Sequence, residues 1–564
     1  MKLNKYKVGS IGLAAILILG LILGFSGVVR AETHTIENET QFDSLTGDYL
    51  SNQTASESIE PGDTLELDFS EVSQERPLLI DLEGITIKPK DEDSTVTLIQ
   101  GGEDGTTWNG LISDGEAEDD GLGSKVSASI VVLADGVTLD SIRFQPETSP
   151  TTGSTEYDDD PKNAIEVDYC SGNGSNSLLF HNLEMPVAES GGSFINGIKF
   201  DGNVSGMINC GTGGIDYTGE MYFRDVRLEG GHGNGIEGNG LLFTQEVGNV
   251  ASLHLEEFYV GNIGGLSGDT LSGYSGNGVL FNNKGSVKDI EFTKSERRSP
   301  SVSELPYAIE ENDSNGILVN GAKVTDVDGF ELNYTRIEGN GTNGLFVKGN
   351  YSGSDPDPIS SLGMTVKNTL IAGNEDHGIF VGPEDGSYSP IKVDDVQLGE
   401  NLTTYGNTLG AAVFNVQVVN GSEASPALIV KDSQFHRDES ADDSEVNDQD
   451  YGLKVDAYEG IFGVHISGST FRYHGVTETN GDEGTGIELI TPISSGDDPA
   501  EEYYDPAEDI KIENTSSQYN HGPGLTIAAN VVKNVEVTST GSDRAKFSGN
   551  SYSGTEDGIY IYGP

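Results

Sequence analysis

One phrase recurs along this chain and limits what it can fold into: a polar residue, a glycine, an aliphatic residue, any residue, then a second aliphatic. It reads SNGILVNG at Ser314–Gly321, NGVLF from Asn277, NGLFV from Asn343, HGIFV from His377, YGLKV from Tyr451, TGIEL from Thr485, PGLTI from Pro523 and DGIYI from Asp557. In a strand, successive side chains point to opposite faces, so the two aliphatics of each phrase share one face. The pairs run from Ile198 and Phe200 through Leu241 and Phe243, Val279 and Phe281, Ile317 and Val319, Leu345 and Val347, and Ile379 and Val381. They continue with Ala411 and Val413, Leu453 and Val455, Ile487 and Leu489, Leu525 and Ile527, and Ile559 and Ile561. Phrase starts lie about 28 to 43 residues apart, the range in which self-similarity signals stacked units.

Between phrases come further strand-like runs: VKDIEF (287–292), MTVKNTLIAGN (364–374), IKVDDVQL (391–398), ALIVKDSQF (427–435), VHISGSTF (464–471) and IKIENTSSQYN (510–520). No long stretch outside the N-terminus carries a 3.6-residue apolar period. With 76 glycines and 19 prolines, the chain favours many short strands joined by turns. An Asn, His or Asp immediately before the phrase glycine, where it occurs, predicts a sharp bend with positive φ, stacked turn upon turn.

MTVKNTLIAGNEDHGIFV (364–381) and IKIENTSSQYNHGPGLTI (510–527) resemble coils of the right-handed parallel β-helix. This is the pectate-lyase-like superfamily of polysaccharide lyases and hydrolases, epimerases, phage tailspikes, adhesins and surface-layer proteins. IEPGDTLELDF (59–69) and the run that follows to 102 resemble its first coils. The resemblance implies an all-β, single-stranded right-handed parallel β-helix of about a dozen or more coils over 59–564, divided into N-terminal coils (59–160) and regular repeats (161–564). It says little about function, because this fold carries many.

Residues 1–31 read as an export signal: Lys2, Lys5 and Lys7, then an apolar run, then Val29-Arg30-Ala31 before Glu32. The apolar run is long enough that an uncleaved N-terminal anchor is the alternative. Residues 32–58 are expected as an N-terminal extension, and the mature chain as free of membrane spans. The location implied is secreted or cell-surface. Sequons at Asn38, Asn52, Asn203, Asn333, Asn340, Asn350, Asn401, Asn420 and Asn514, among others, fit such a location. Cys170 and Cys210 form either a disulfide or two buried thiols.

The chain carries 92 acidic against 31 basic residues, a formal net charge of -61. That excludes nucleic acid and anionic lipid as partners, which need basic patches. The acids are spread widely and concentrate in insertions such as 437–450 and 495–509, as on a halophilic surface whose self-repulsion salt screens.

Catalytic candidates are few. Arg224, Asp225, Arg227 and His232, in FRDVRLEGGHG, are the only site-like cluster; GHG is similar to a polygalacturonase motif, but the Asp pairs and the downstream Arg-x-Lys of that family are missing. No cofactor is required by the sequence. DVDGFE (326–331) and SDPDP (354–358) are similar to parts of calcium loops, and neither has the full ligand series. His377 and His521 read as turn residues.

The middle residue of each phrase is turned outward by the same alternation. In coil order it is Glu166, Lys199, Leu242, Leu280, Leu318, Phe346, Phe380, Ala412, Lys454, Glu488, Thr526 and Tyr560. The central rungs form an apolar ladder roughly 20 to 25 Å long. Leu242, Leu280, Leu318, Phe346 and Phe380 are therefore either a binding or assembly face or a seam covered by the insertion 293–313.

The expected function is glycan binding, adhesion or assembly by an exported acidic β-helix, with a polysaccharide or cell-surface glycan, or copies of itself, as partner. An unpaired last rung would supply the assembly edge. The alternative is a polysaccharide lyase, glycoside hydrolase or epimerase.

Overall fold

The computed structural model describes residues 31–52, 58–74, 76–100, 128–146, 163–168, 177–187, 193–201, 215–231, 235–264, 276–294, 308–321, 324–349, 359–383, 390–436, 450–472, 484–491, 505–520, 522–539, 546–548 and 558–562. The chain is a parallel β-helix, and its strands pair in parallel with the coils before and after them. Among the described residues, one sheet of 14 strands takes one phrase strand from each coil, from Leu78–Ile80 to Ile559–Tyr562. The remaining strands join a second system of 29.

A representative coil runs Ile317–Asn320, Asp326–Asn333 and Arg336–Glu338 before the next phrase strand, Leu345–Lys348, lands on Ile317–Asn320. A single left-handed residue makes the corner between the long and short strands of several coils: Asn368, Asp432 and Asn514 have φ of 47, 48 and 50°, and Asn182 and Asp225, at 51 and 53°, make the same bend within one longer strand. Short polar side chains tolerate that conformation best after glycine.

The phrase aliphatics fill a continuous core. Ile317, Val319, Leu345, Ile379 and Val381 are fully buried, and inward phenylalanines stack rung on rung, Phe200 on Phe243 at 4.5 Å and Phe243 on Phe281 at 5.1 Å. Burying each such side chain contributes about 1.5–3 kcal/mol, but only because neighbouring coils close the face that a single coil leaves open.

The phrase glycines are not the positive-φ bends that the sequence suggests; neither Gly316, Gly344 and Gly378 nor Asn315, Asn343 and His377 before them is left-handed. They are required by close approach. A Cβ on Gly316 would lie 2.7 Å from the Gly344 carbonyl oxygen and 2.8 Å from Ile337 Cγ2, and the same geometry recurs at Gly344.

The polar residue before the glycine also faces the next coil. Asn196, Asn239, Asn277, Asn315 and Asn343 each donate an Nδ2 hydrogen bond to the amide oxygen one rung back, starting from Asn163, at 2.9–3.3 Å. A second buried ladder runs through Asn312, Asn340, Asn374 and Asn407, each link 2.8 Å. Both supply partners for amides that would otherwise be buried without them.

Within the N-terminal extension, Thr33–Ile36 pairs in parallel with Thr64–Leu67, and the short helix Glu39–Asp43, capped by Asn38, buries Phe42 in the core. One expectation needs correction. At 410–414 the phrase is displaced by one residue. Ala412 aligns with Ile379, Val413 with Phe380 and Phe414 with Val381, so Ala412 and Phe414 point inward and Val413 is the outward residue. Ala411 occupies the glycine slot there, its carbonyl oxygen 2.6 Å from where a Gly378 Cβ would be.

Candidate functional site

The outward side of the phrase sheet has three sections. In the middle, Leu280, Leu318, Phe346, Phe380 and Val413 form a hydrophobic cluster separate from the core, with Leu242 packed against it. Leu280 is 1% exposed, Leu318 3% and Phe346 1%, so the ladder is a buried seam rather than an open apolar patch. Residues 295–307 of the insertion expected to cover it lie outside the described residues.

Toward the N-terminus the seam gives way to an ion pair. Lys199 Nζ lies 2.5 Å from Asp201 Oδ2 and 3.3 Å from Glu166 Oε1, with Glu166 on the preceding rung. Burial opposes the Lys199 charge, but the two carboxylates raise its pKa above the ordinary lysine value.

Toward the C-terminus it opens onto a mixed group. His377 ends the asparagine ladder, its Nδ1 3.0 Å from Asn343 Oδ1. The amide oxygen of Asn343 can only accept, so the network assigns the ring proton to Nδ1 and leaves Nε2 with its lone pair. The ring stacks on Phe380 at 4.6 Å, and Phe380 on Phe346 at 5.1 Å. Burial, aided by the charge of Lys454, lowers the His377 pKa to about 4.

Gly410 is the next ladder position, and Tyr451 the one after it. Lys454 Nζ sits 4.4 Å over the Tyr451 ring and 3.6 Å from Glu488 Oε2, one rung on. Burial alone would lower the Lys454 ammonium, yet Tyr451 and Glu488 carry it above the ordinary lysine value. Burial raises the pKa of both Glu488 and Asp456, partly offset by Lys454. Glu488 Oε2 is buried and accepts no hydrogen bond from the described residues. Desolvated ionisable groups of opposite kinds on one face are the pattern in which altered acidity accompanies function.

The sequence named Lys454 and Glu488 only as polar ends of the ladder and His377 only as a turn residue. It did not place Tyr451 or Asp456 beside them. The available signal was register: Tyr451, Lys454 and Asp456 recur one rung later at Thr485, Glu488 and Ile490.

Arg224, Asp225 and Arg227 lie on the strand Met221–Glu229, in the other sheet system. Asp225 is a left-handed corner residue that separates the two arginines. Arg224 Nε pairs with Glu256 at 2.7 Å and stacks on Tyr222; Arg227 Nε binds Glu229 at 2.8 Å and stacks on Tyr259. The strand thus divides them between local pairs. His232, Cys170, Cys210, Asn203, Asn350, His521 and the SDPDP segment lie outside the described residues.

Among the described residues no group of three or more His, Cys, Asp or Glu side chains is arranged to hold a metal, and no helix is long and apolar enough to cross a membrane. Of the sequons, Asn340 is fully buried in a ladder and closed to modification in the folded chain, whereas Asn38, Asn52, Asn401 and Asn420 are exposed.

No protein-family model and no curated protein matches the chain. Among solved structures it is similar to the A-module of a mannuronan C-5 epimerase from Azotobacter vinelandii, at 10% identity and a TM-score of 0.28, over 89% of this chain and 91% of that one.

Proposed function

We propose that the protein engages an extended glycan on the outward side of the phrase sheet, at the rungs that carry His377, Tyr451, Lys454, Asp456 and Glu488, as an exported protein of the cell surface or extracellular space. The observation that carries this reading is the contact of half-buried Lys454 with Tyr451 and Glu488, with Asp456 on the same face, beyond the rung of His377 where the apolar seam ends. Flat rings suit the C–H face of a sugar, and carboxylate and ammonium groups fix its hydroxyls, the mixture typical of small-molecule sites. The export signal and the acidic surface support the location.

The experiment is retention on an array of neutral, amine-bearing and acidic polysaccharides, repeated with Lys454→Met and Tyr451→Ala. Binding lost in both variants while Arg224→Ala binds normally supports the site; binding indifferent to either overturns it.

A second reading, a polysaccharide-active enzyme, is favoured by one observation: Glu488 sits against Lys454 with its carboxyl disposed by burial to hold a proton, and the charge of Lys454 also reaches the neutral His377. Incubation with each glycan that binds, followed by chromatography of the products, separates the two; unchanged chain length and sugar composition leave binding alone.

A further inference from the structure

The Tyr451–Lys454–Asp456–Glu488 group has more acceptors than donors. Lys454 is its one cation, and that ammonium is already held over the Tyr451 ring and against Glu488. Against it stand two carboxylates, Glu488 and Asp456, on adjacent rungs of the same face. Glu488 Oε2 is buried without a hydrogen bond from the described residues. An ionised carboxylate only accepts. A second anion brought against this excess would be repelled in a partly desolvated setting, where charges are weakly screened.

We infer that this site takes a sugar unit rich in hydrogen-bond donors and free of carboxylate, neutral or amine-bearing, and rejects polyuronate; the inference rests on the glycan reading above. Ligand hydroxyl or ammonium groups would donate to Glu488 Oε2 and to Asp456, while the half-buried Tyr451 offers flat surface to the ring. Burial raises the pKa of both carboxyls, so each gains from a neighbouring donor or cation.

The test is calorimetric titration of the full chain at pH 7 with four hexasaccharides: cellohexaose, N-acetylchitohexaose, its deacetylated form and hexagalacturonate. Each is run in 0.1 M and 1 M NaCl, because the higher salt screens the repulsion of the whole chain and leaves the local site. The expected result is binding of at least one non-anionic hexamer, with hexagalacturonate at least about tenfold weaker in both salts. Glu488→Gln and Asp456→Asn should each weaken the tightest non-anionic hexamer by about tenfold, the scale of one hydrogen bond to a charged group. Circular dichroism and melting confirm that the variants fold.

Hexagalacturonate binding as tightly as the others in 1 M salt would overturn the inference, as would affinity unchanged in both folded variants. Failure of all four to bind would instead remove the glycan reading beneath it.

Discussion

His377 Nδ1 lies 3.0 Å from Asn343 Oδ1, so an imidazole takes the place of the next asparagine and closes a ladder of six amides. Its folded pKa is lowered to about 4 from 6.5. Between those values the unfolded chain binds a proton that the folded chain refuses, so stability is lost as pH falls through this window, by roughly 3 kcal/mol at most. His377→Asn extends the ladder with a group that does not titrate. Urea midpoints measured from pH 7 to pH 4 should fall less steeply for this variant than for the parent; parallel curves would show that His377 is not the group responsible.

Asn315 is bound on both sides. It donates to Asn277 Oδ1 at 3.0 Å and accepts from Asn343 Nδ2 at 3.0 Å and Thr342 Oγ1 at 2.7 Å. Asn315→Ala strands buried groups on the neighbouring rungs, at about 1–3 kcal/mol for each one left unsatisfied. Asn401→Gly keeps a left-handed corner and deletes one exposed amide bond to Asn368, for an expected loss under about 1 kcal/mol. Chemical denaturation of both variants should rank them in that order.

Gly316→Ala places a methyl carbon 2.7 Å from a backbone oxygen. Neither rung can retreat without breaking its pairing, so a loss of about 1–3 kcal/mol or more is expected. Ala411→Gly, in the same slot of a displaced rung, should cost no more than about 1 kcal/mol. Similar midpoints for the two would mean that the close approach does not constrain the stack.

Lys199→Met removes the charge between Glu166 and Asp201. Breaking a buried pair from one side costs about 3–5 kcal/mol. Adding Glu166→Gln and Asp201→Asn to Lys199→Met should recover part of the loss in urea denaturation; a triple variant no more stable than Lys199→Met would assign the loss to packing instead.

The net charge of -61 makes self-repulsion a general load on the folded state. Raising NaCl from 0.1 M to 2 M should raise the melting temperature of the parent protein, and calorimetry that finds no rise would contradict a salt-adapted surface.

The inward face was legible because alternation is local: Ile317 and Val319 declare themselves within one strand, and both are fully buried. The register at Ala411 was not, because the reading anchored on Gly410, while the slot is defined by a carbonyl one rung away. The purpose of the phrase glycines escaped for the same reason, since a clash with the next coil has no trace in the local sequence. Arg224 and Arg227 looked like a site because they are close in the chain, yet Glu256 and Tyr259 engage them on separate strands. Tyr451 and Glu488 sit on adjacent rungs although 37 positions of numbering separate them, and only the stacking period connects them.

The ladder contact from Asn315 to Asn343 spans 28 residues. Excising Gly316 through Asn343 would join Asn315 to Gly344 and restore the phrase unbroken, with Asn277 below and His377 above still able to meet their partner. Heredity can therefore shorten or lengthen such a chain by whole coils through slippage between similar stretches of gene, each product again a foldable protein. The coil, not the residue, is the smallest step by which its length can drift without penalty.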